Sequence, residues 1–359
     1  MGMLAASTRR ALTACGLALA ASCCSPYMAA RADEGGVSFW LPGLFGSLAA
    51  TPQQPGWSLT TFGYHTSVSA GGKVALSREF QLGKVPANLN ASLDARLNAA
   101  ADLAAILPTY VFSDPFLGGQ AAVGLMSIMG RANASIAGTL KGSLTTPVGT
   151  LPFARSDSIA DSVSGFGDLY PQLMVRWNKG LHNYMTYVTG NVPLGAYSSS
   201  RLSNIGLGHG AIDAGGGYTY FNPDSGHEAS GVLGFTYNLT NPSTNYQSGV
   251  DMHFDWGASK FIDKQLQLGL VGYAYRQLGC DSGSGDRIGC FQSQVLGVGP
   301  QAGIIIPMGD WQGYVNVKGY KEFAAQNRPA GWNGWVTLVI SPAAATPPKP
   351  AGKPVSARF

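Results

Sequence analysis

The chain has 359 residues, 49 of them glycine, only 12% charged, and a formal net charge of +4. Ordinary soluble domains carry about 25% charged residues, so this composition argues against a cytosolic enzyme, and the small net charge argues against a nucleic-acid partner. A charge-poor, glycine-rich chain fits a sheet with one face against hydrocarbon, where ions are not tolerated.

Residues 1–32 read as an export signal. Arg9 and Arg10 form a basic start, residues 11–24 are apolar and small, and Ala30, Arg31 and Ala32 offer a small-x-small cleavage site. Removing Arg9, Arg10 and Arg31 from the total of +4 leaves +1 on the mature chain. Cys15 follows Leu12, Thr13 and Ala14, but a lipidated cysteine there would precede the hydrophobic stretch instead of following it. No run reaches the roughly 18 apolar residues of a spanning helix.

Residues 33–56 form a lead-in rich in glycine and proline, with Phe39, Trp40, Leu41 and Phe45. It is too apolar to float free and too broken for a long strand, and is expected at the barrel mouth or in the lumen, where it is a candidate plug. Six strands are predicted next, at 57–66, 68–82, 88–98, 102–112, 120–129 and 133–144. The alanine-rich stretch 92–107 fits strand or helix. Pro147, Pro152 and scattered polar residues mark 145–164 as a long loop, a second candidate gate.

Later strands are sharper: 167–177, 183–193, 212–221, 228–239, 249–260, 265–278, 291–306, 311–323 and 332–341. Turn residues separate them, such as Asn178, Lys179 and Gly180, or Pro307, Met308, Gly309 and Asp310. In 250–256 the alternation is unbroken: Val250, Met252, Phe254 and Trp256 share one face, and Asp251, His253 and Asp255 the other. Leu233, Phe235, Tyr237 and Leu239 repeat the pattern. The whole predicts an all-β fold, an antiparallel transmembrane β-barrel over 57–341 with about 14 strands, 12 or 16 remaining open. Residues 342–359 carry four prolines from Pro347 onward and are expected to be a disordered tail. Aromatic residues near strand ends, among them Trp177, Tyr184, Tyr218, Tyr273, Tyr275, Trp311, Trp332 and Trp335, fit girdles at the two interfaces.

The lumen-lining candidates are Arg176, Asp251, His253, Asp255, Asn316 and Lys318, with Arg276 a further counter-charge for the acidic row. Neighbours two apart on a strand lie about 7 Å from each other, too far for a compact ligand set, so the row reads as a hydrated polar wall. No catalytic, cofactor or metal site is predicted. Gly283, Ser284 and Gly285 are loop composition, not a nucleophile elbow, and the glycines at 206, 208 and 210 lead into a strand, where a phosphate loop needs a helix. Cys280 and Cys290 flank a segment rich in Gly, Ser and Asp and are expected to pair in an oxidising compartment.

The segments Gly36-Val-Ser-Phe-Trp-Leu-Pro-Gly-Leu-Phe-Gly-Ser-Leu-Ala-Ala50, Gly167-Asp-Leu-Tyr-Pro171, Gly190-Asn-Val-Pro-Leu-Gly195, Gly234-Phe-Thr-Tyr-Asn238 and Gly297-Val-Gly-Pro-Gln301 resemble the family named for the meta-pathway of phenol degradation. The resemblance covers nearly the whole mature chain. It implies an outer-membrane barrel of transporter type that admits aromatic or other apolar small molecules passively, with no catalytic set to carry over. The combined expectation is a monomeric channel in the outer membrane of a Gram-negative bacterium, with lipid and a small solute as partners and no cofactor. Two other readings stand beside it: a barrel enzyme of lipid-hydrolase type, and a structural surface barrel with a blocked lumen.

Overall fold

The computed structural model describes residues 38–82, 85–286, 290 and 292–343. The expected leader at 1–32 and residues 344–359 of the expected tail lie outside the described residues, while Pro342, expected in the tail, ends the last strand. The chain forms one closed antiparallel barrel in which each strand pairs with its sequence neighbours and β1 closes on β12, Leu59 opposite Ile340. The strands are β1 (Gly56–Leu82), β2 (Val85–Phe116), β3 (Gly119–Thr146), β4 (Gly149–Lys179), β5 (His182–Gly190), β6 (Ala211–Asn222), β7 (His227–Asn238), β8 (Asp251–Phe261), β9 (Leu266–Gln277), β10 (Gln294–Met308), β11 (Trp311–Gln326) and β12 (Ala330–Pro342).

The described residues form twelve strands, the lower of the open alternatives and not the favoured fourteen, because the first half of the chain is built from longer units. The six short strands predicted over 57–144 are three long ones, and 92–107 lies inside β2 as strand. The predicted loop at 145–164 is also strand: β3 turns at 147–148 into β4, with Pro152 opposite Ser143. β4 pairs with β5 only over Gln172–Lys179, so Pro152 sits where β4 has a free edge, the place in a sheet that tolerates a missing N–H. Spanning a membrane takes about 9–11 residues. At about 3.3 Å per residue, the 32 residues of β2 run far beyond that, and β1–β4 continue as a four-stranded sheet past the end where β12 stops, at Ser69 opposite Ala330.

That sheet reverses the polarity of the barrel. Within the barrel, Ile106, Leu125, Leu233, Phe235, Leu270, Val317 and Val336 form an exposed outward band of the kind that meets hydrocarbon. Above it the same outward phase of β2 turns polar, with Asp94, Arg96 and Asn98 exposed. The inward phase carries Leu93 and Leu97, in register with Leu140 and Ile136 of β3, which face Arg155 and Ile159 of β4. Water replaces lipid outside, so the alternation survives with its sides exchanged. Rings mark both edges of the band: Trp57, Tyr184, Tyr218 and Trp311 at the end with short turns, and Phe166, Tyr237 and Trp332 at the end with long loops, as interfacial aromatics do. Tyr273, Tyr275 and Trp335 depart from the girdle expectation; all three are buried in the interior.

The abundant glycine has a local use. Gly215, Gly234, Gly272 and Gly297 lie directly opposite Tyr187, His253, Trp256 and Tyr273. A Cβ at Gly234 would approach the Tyr187 hydroxyl to 2.1 Å, and one at Gly297 the Tyr273 ring to 2.3 Å. Large rings lie flat over the neighbouring strand because no side chain lifts them, a pairing that also shields the glycine backbone.

Candidate functional site

The interior is divided between a docked segment and a cavity. Residues 38–55 enter at the short-turn end, where Gly56 begins β1, and climb inside the barrel along the wall of β6–β11. Backbone donors of this segment find fixed acceptors on the barrel: Ala50 N–H donates to Thr219 Oγ1 of β6 at 3.0 Å, Leu48 N–H to Glu228 Oε1 of β7 at 2.9 Å and, across the lumen, Gln53 N–H to Gln120 Oε1 of β3 at 2.9 Å. An irregular segment buried in a barrel has to satisfy its peptide groups this way, since it has no ladder of its own.

Asp255 and Lys318 make the densest part of this attachment. The Asp255 carboxylate accepts from Gly43 N–H at 2.9 Å, from Trp40 Nε1–H at 3.1 Å and from Phe45 N–H at 3.2 Å. Lys318 Nζ donates to the carbonyls of Gly43 at 2.5 Å, Phe45 at 3.0 Å and Leu44 at 3.2 Å. One buried anion thus takes the segment's donors and one buried cation its acceptors, over a single turn in which Gly43 has φ of 87°. A Cβ at Gly43 would also lie 2.9 Å from the Tyr320 ring. Only glycine suits that position.

Above this turn Trp40 stacks on His253, with centroids 3.7 Å apart and planes 11° apart. His253 Nε2 lies 3.0 Å from Asp213 Oδ2 and 3.3 Å from Tyr187 Oη; Tyr187 donates to Asp213 Oδ1 at 2.8 Å. Thr236 gives its hydroxyl to Asp213, not to the imidazole. The nucleophile-on-base arrangement of acyl transfer, with a hydroxyl donating to His, is not formed by this cluster.

The structure places all six lumen-lining candidates with buried side chains, and divides them among different surroundings. Asp251 accepts from Asn238 Nδ2 at 2.8 Å near the long-loop end. His253 and Asp255 carry the docked segment from above and below. Asn316 donates to Tyr314 Oη at 3.1 Å and to the Ala302 carbonyl at 3.3 Å. Arg176 stands apart, near the short-turn end of β4. Arg276, the further counter-charge, faces outward and is exposed. At Asp255, Lys318 and His253 the inserted segment supplies the contacts. Asp213, Glu228 and Tyr187 were not singled out from sequence. Asp213 shares its inward phase with Gly215 and Gly217, and polar residues next to glycine read as turns; Tyr187 shares its phase with Asn183 and Met185, which marks it only as one more strand residue.

Beside the docked segment lies a cavity of ≈ 460 Å³ lined by β1–β5, β10–β12 and the segment itself. Phe62, Leu107, Met126, Ile128, Tyr170 and Met174 give it an apolar wall, and Gln53, Thr109, Gln172, Gln312 and Arg176 are among its polar groups, Arg176 being charged. Binding pockets for small molecules range over roughly 300–1,000 Å³ and combine such a wall with few polar groups.

Outside the barrel, Cys280 and Cys290 form a disulfide in the connection between β9 and β10. Asp281 beside it accepts from Gly249 N–H, Gln277 Nε2 and Tyr246 Oη, and burial pushes its carboxyl pKa above the usual range.

A closed antiparallel barrel with an apolar outer band, a segment docked inside and a cavity beside it defines a β-barrel of the outer-membrane type. The chain belongs to the family described as Putative MetA-pathway of phenol degradation, whose model matches residues 83–338. No curated protein matches the chain. Among solved structures it is similar to an outer membrane channel from Pseudomonas putida, at 12% identity and a TM-score of 0.57 over 81% of this chain and 97% of the other. It also matches a FadL homologue from Pseudomonas aeruginosa at 9% identity and a TM-score of 0.33, over 87% and 95% of the two chains. The transport unit of the autotransporter AIDA-I from Escherichia coli matches at 10% identity and a TM-score of 0.32, over 88% and 99%.

Proposed function

We propose that this protein is a monomeric channel in the outer membrane of a Gram-negative bacterium, exported by a leader cleaved after residue 32, that admits small apolar solutes passively. The observation that carries the reading is the apolar cavity running beside a docked lumen segment. Short turns face the periplasm and long connections the exterior, as in bacterial barrels, so the segment enters from the periplasmic side. Aromatic solutes fit the wall of Phe62, Tyr170 and Met174 through ring and sulfur contacts. Movement follows the gradient, and the barrel supplies a path with no energy source.

The docked segment makes the path gated. Asp255, Lys318 and Glu228 hold residues 43–48 by hydrogen bonds to charged groups, each worth about 1.5–3 kcal/mol, so opening is rare when nothing displaces the segment.

Proteoliposome swelling tests the reading, with phenols and sugars compared side by side against protein-free vesicles. Faster entry of the phenols is expected. Entry of both classes at the protein-free rate would refute the channel.

A further inference from the structure

Arg176 contrasts with the buried ions that hold the docked segment or face it. Lys318 holds three carbonyls, Asp255 three donors, and Asp213 is closed by Tyr187, Thr236 and His253. Glu228 accepts from Ser230, Ser259 and the Leu48 amide. Arg176 is 7% exposed, its Nε has no acceptor, and Nη2 lies against the Met174 thioether at 3.4 Å. Among the described residues no carboxylate is within ion-pair reach of it.

A guanidinium withdrawn from bulk water without a counter-ion is unfavourable, and its side chain lines the cavity. Its planar fork matches a carboxylate through two parallel hydrogen bonds. Gln53, whose Oε1 also lacks a donor, lines the same cavity. Phe62, Leu107, Met126, Ile128 and Tyr170 supply its apolar surface, and its other polar groups, Thr109 and Gln172 among them, are neutral. From Tyr170 to Arg176 is six residues of β4, about 20 Å, which makes the cavity a slot with one cationic end.

We propose that this slot binds monocarboxylates with an apolar body, the carboxylate on Arg176 and the ring or chain directed toward Tyr170 and the long-loop end. The proposal rests on the channel reading and narrows its solute from apolar molecules in general to apolar acids. Lys318 is not an alternative anchor, because its three donors are used by the docked segment.

Calorimetry on the full mature chain in non-ionic detergent, with 4-phenylbutyrate and 4-phenylbutan-1-ol at neutral pH, tests it. The two probes share ring and chain and differ in the head group. The acid is expected to bind roughly tenfold or more tightly than the alcohol, the worth of a charge-assisted hydrogen bond. Arg176→Met should bind both alike, whereas Arg176→Lys keeps the charge without the fork and retains part of the preference. Equal affinity of wild type for acid and alcohol, binding of neither, or a preference that survives in Arg176→Met would overturn the site. If Arg176→Met does not fold, the wild-type comparison and Arg176→Lys still decide. Swelling with the same two solutes separates the two readings: entry of the alcohol without preference for the acid removes the anionic site and leaves the channel, while binding of the acid with entry of neither removes the channel and leaves the site.

Discussion

The indole of Trp40 lies flat on the imidazole of His253 and reaches past it to donate to Asp255, so one side chain of the lead-in engages two successive inward positions of β8. These residues are more than 200 positions apart in sequence. Trp40→Ala removes the stack and the hydrogen bond together. The loss is expected to reach about 3–5 kcal/mol of docking free energy, with the barrel intact. Hydrogen exchange should show faster exchange at the amides of 43–50 and unchanged protection in β6–β9. Equal protection of the segment in the variant would show that Trp40 does not hold it.

Lys318 acts on the same turn from the acceptor side. Lys318→Met keeps the length of the side chain and leaves three carbonyls without a donor, each a desolvated polar group costing about 1–3 kcal/mol. The segment should leave its site more often, which single-channel recording would read as more frequent or longer open events than in wild type. Asp255→Asn should act in the same direction and more weakly, since an amide oxygen still accepts one or two of the three donors. A closed-state occupancy unchanged in Lys318→Met would remove the latch.

How much of this was legible depends on the solvent each face meets. In β8, Phe254 meets lipid and Asp255 the interior, so the period of two is written in side chains of opposite kind. In β2 above the membrane, Leu93 and Leu97 alternate with Asp94, Arg96 and Asn98 among alanines, a pattern that a helix also accommodates, and 92–107 stayed ambiguous. Pro152 read as a loop because an edge strand in water on both faces has no lipid phase to declare it. The inward direction of Asp251, His253 and Asp255 follows from alternation alone. Their partners do not, because Asp255 meets Gly43 and Trp40 across the whole chain and no local period encodes that pairing.

Gly234→Ala tests the flat packing of His253. The added methyl would approach the Tyr187 hydroxyl to 2.1 Å and His253 Nε2 to 2.5 Å, pressing into the hydrogen bonds that hold both to Asp213. Overpacking of this kind costs about 1–3 kcal/mol. Gly63→Ala, where a Cβ meets nothing within 4 Å, serves as the control and should be near neutral. Thermal unfolding in detergent should lower the midpoint for the first variant and leave the second unchanged; equal midpoints would mean that the glycine spares no clash.

Asp281 gives the connection between β7 and β8 a pH dependence. Burial raises its folded pKa above the unfolded value, so the folded state holds the proton more tightly between the two. This contribution to stability is fully present below the unfolded pKa and is lost as pH rises through the folded one. The slope should therefore be a loss of protection at Gly249 with rising pH above the ordinary carboxylate range, after correction for intrinsic exchange. Asp281→Asn should flatten it. A slope of the opposite sign would mean that the bonds from Gly249 and Tyr246 outweigh burial.

The disulfide between Cys280 and Cys290 closes a loop with a sequence separation of 10. In the chain-entropy account a loop of that length is worth about 3 kcal/mol, and here the benefit is local, because both cysteines lie beyond the ends of β9 and β10. Reduction should leave the barrel's unfolding midpoint nearly unchanged while making the segment between the cysteines sensitive to protease. It should also loosen Gln277 and Asp281, which share a hydrogen bond at the base of the loop. Mass spectrometry of unreduced peptides is expected to show the two cysteines joined. Alkylation of both without reductant, or a large drop in barrel stability on reduction, would contradict a local staple.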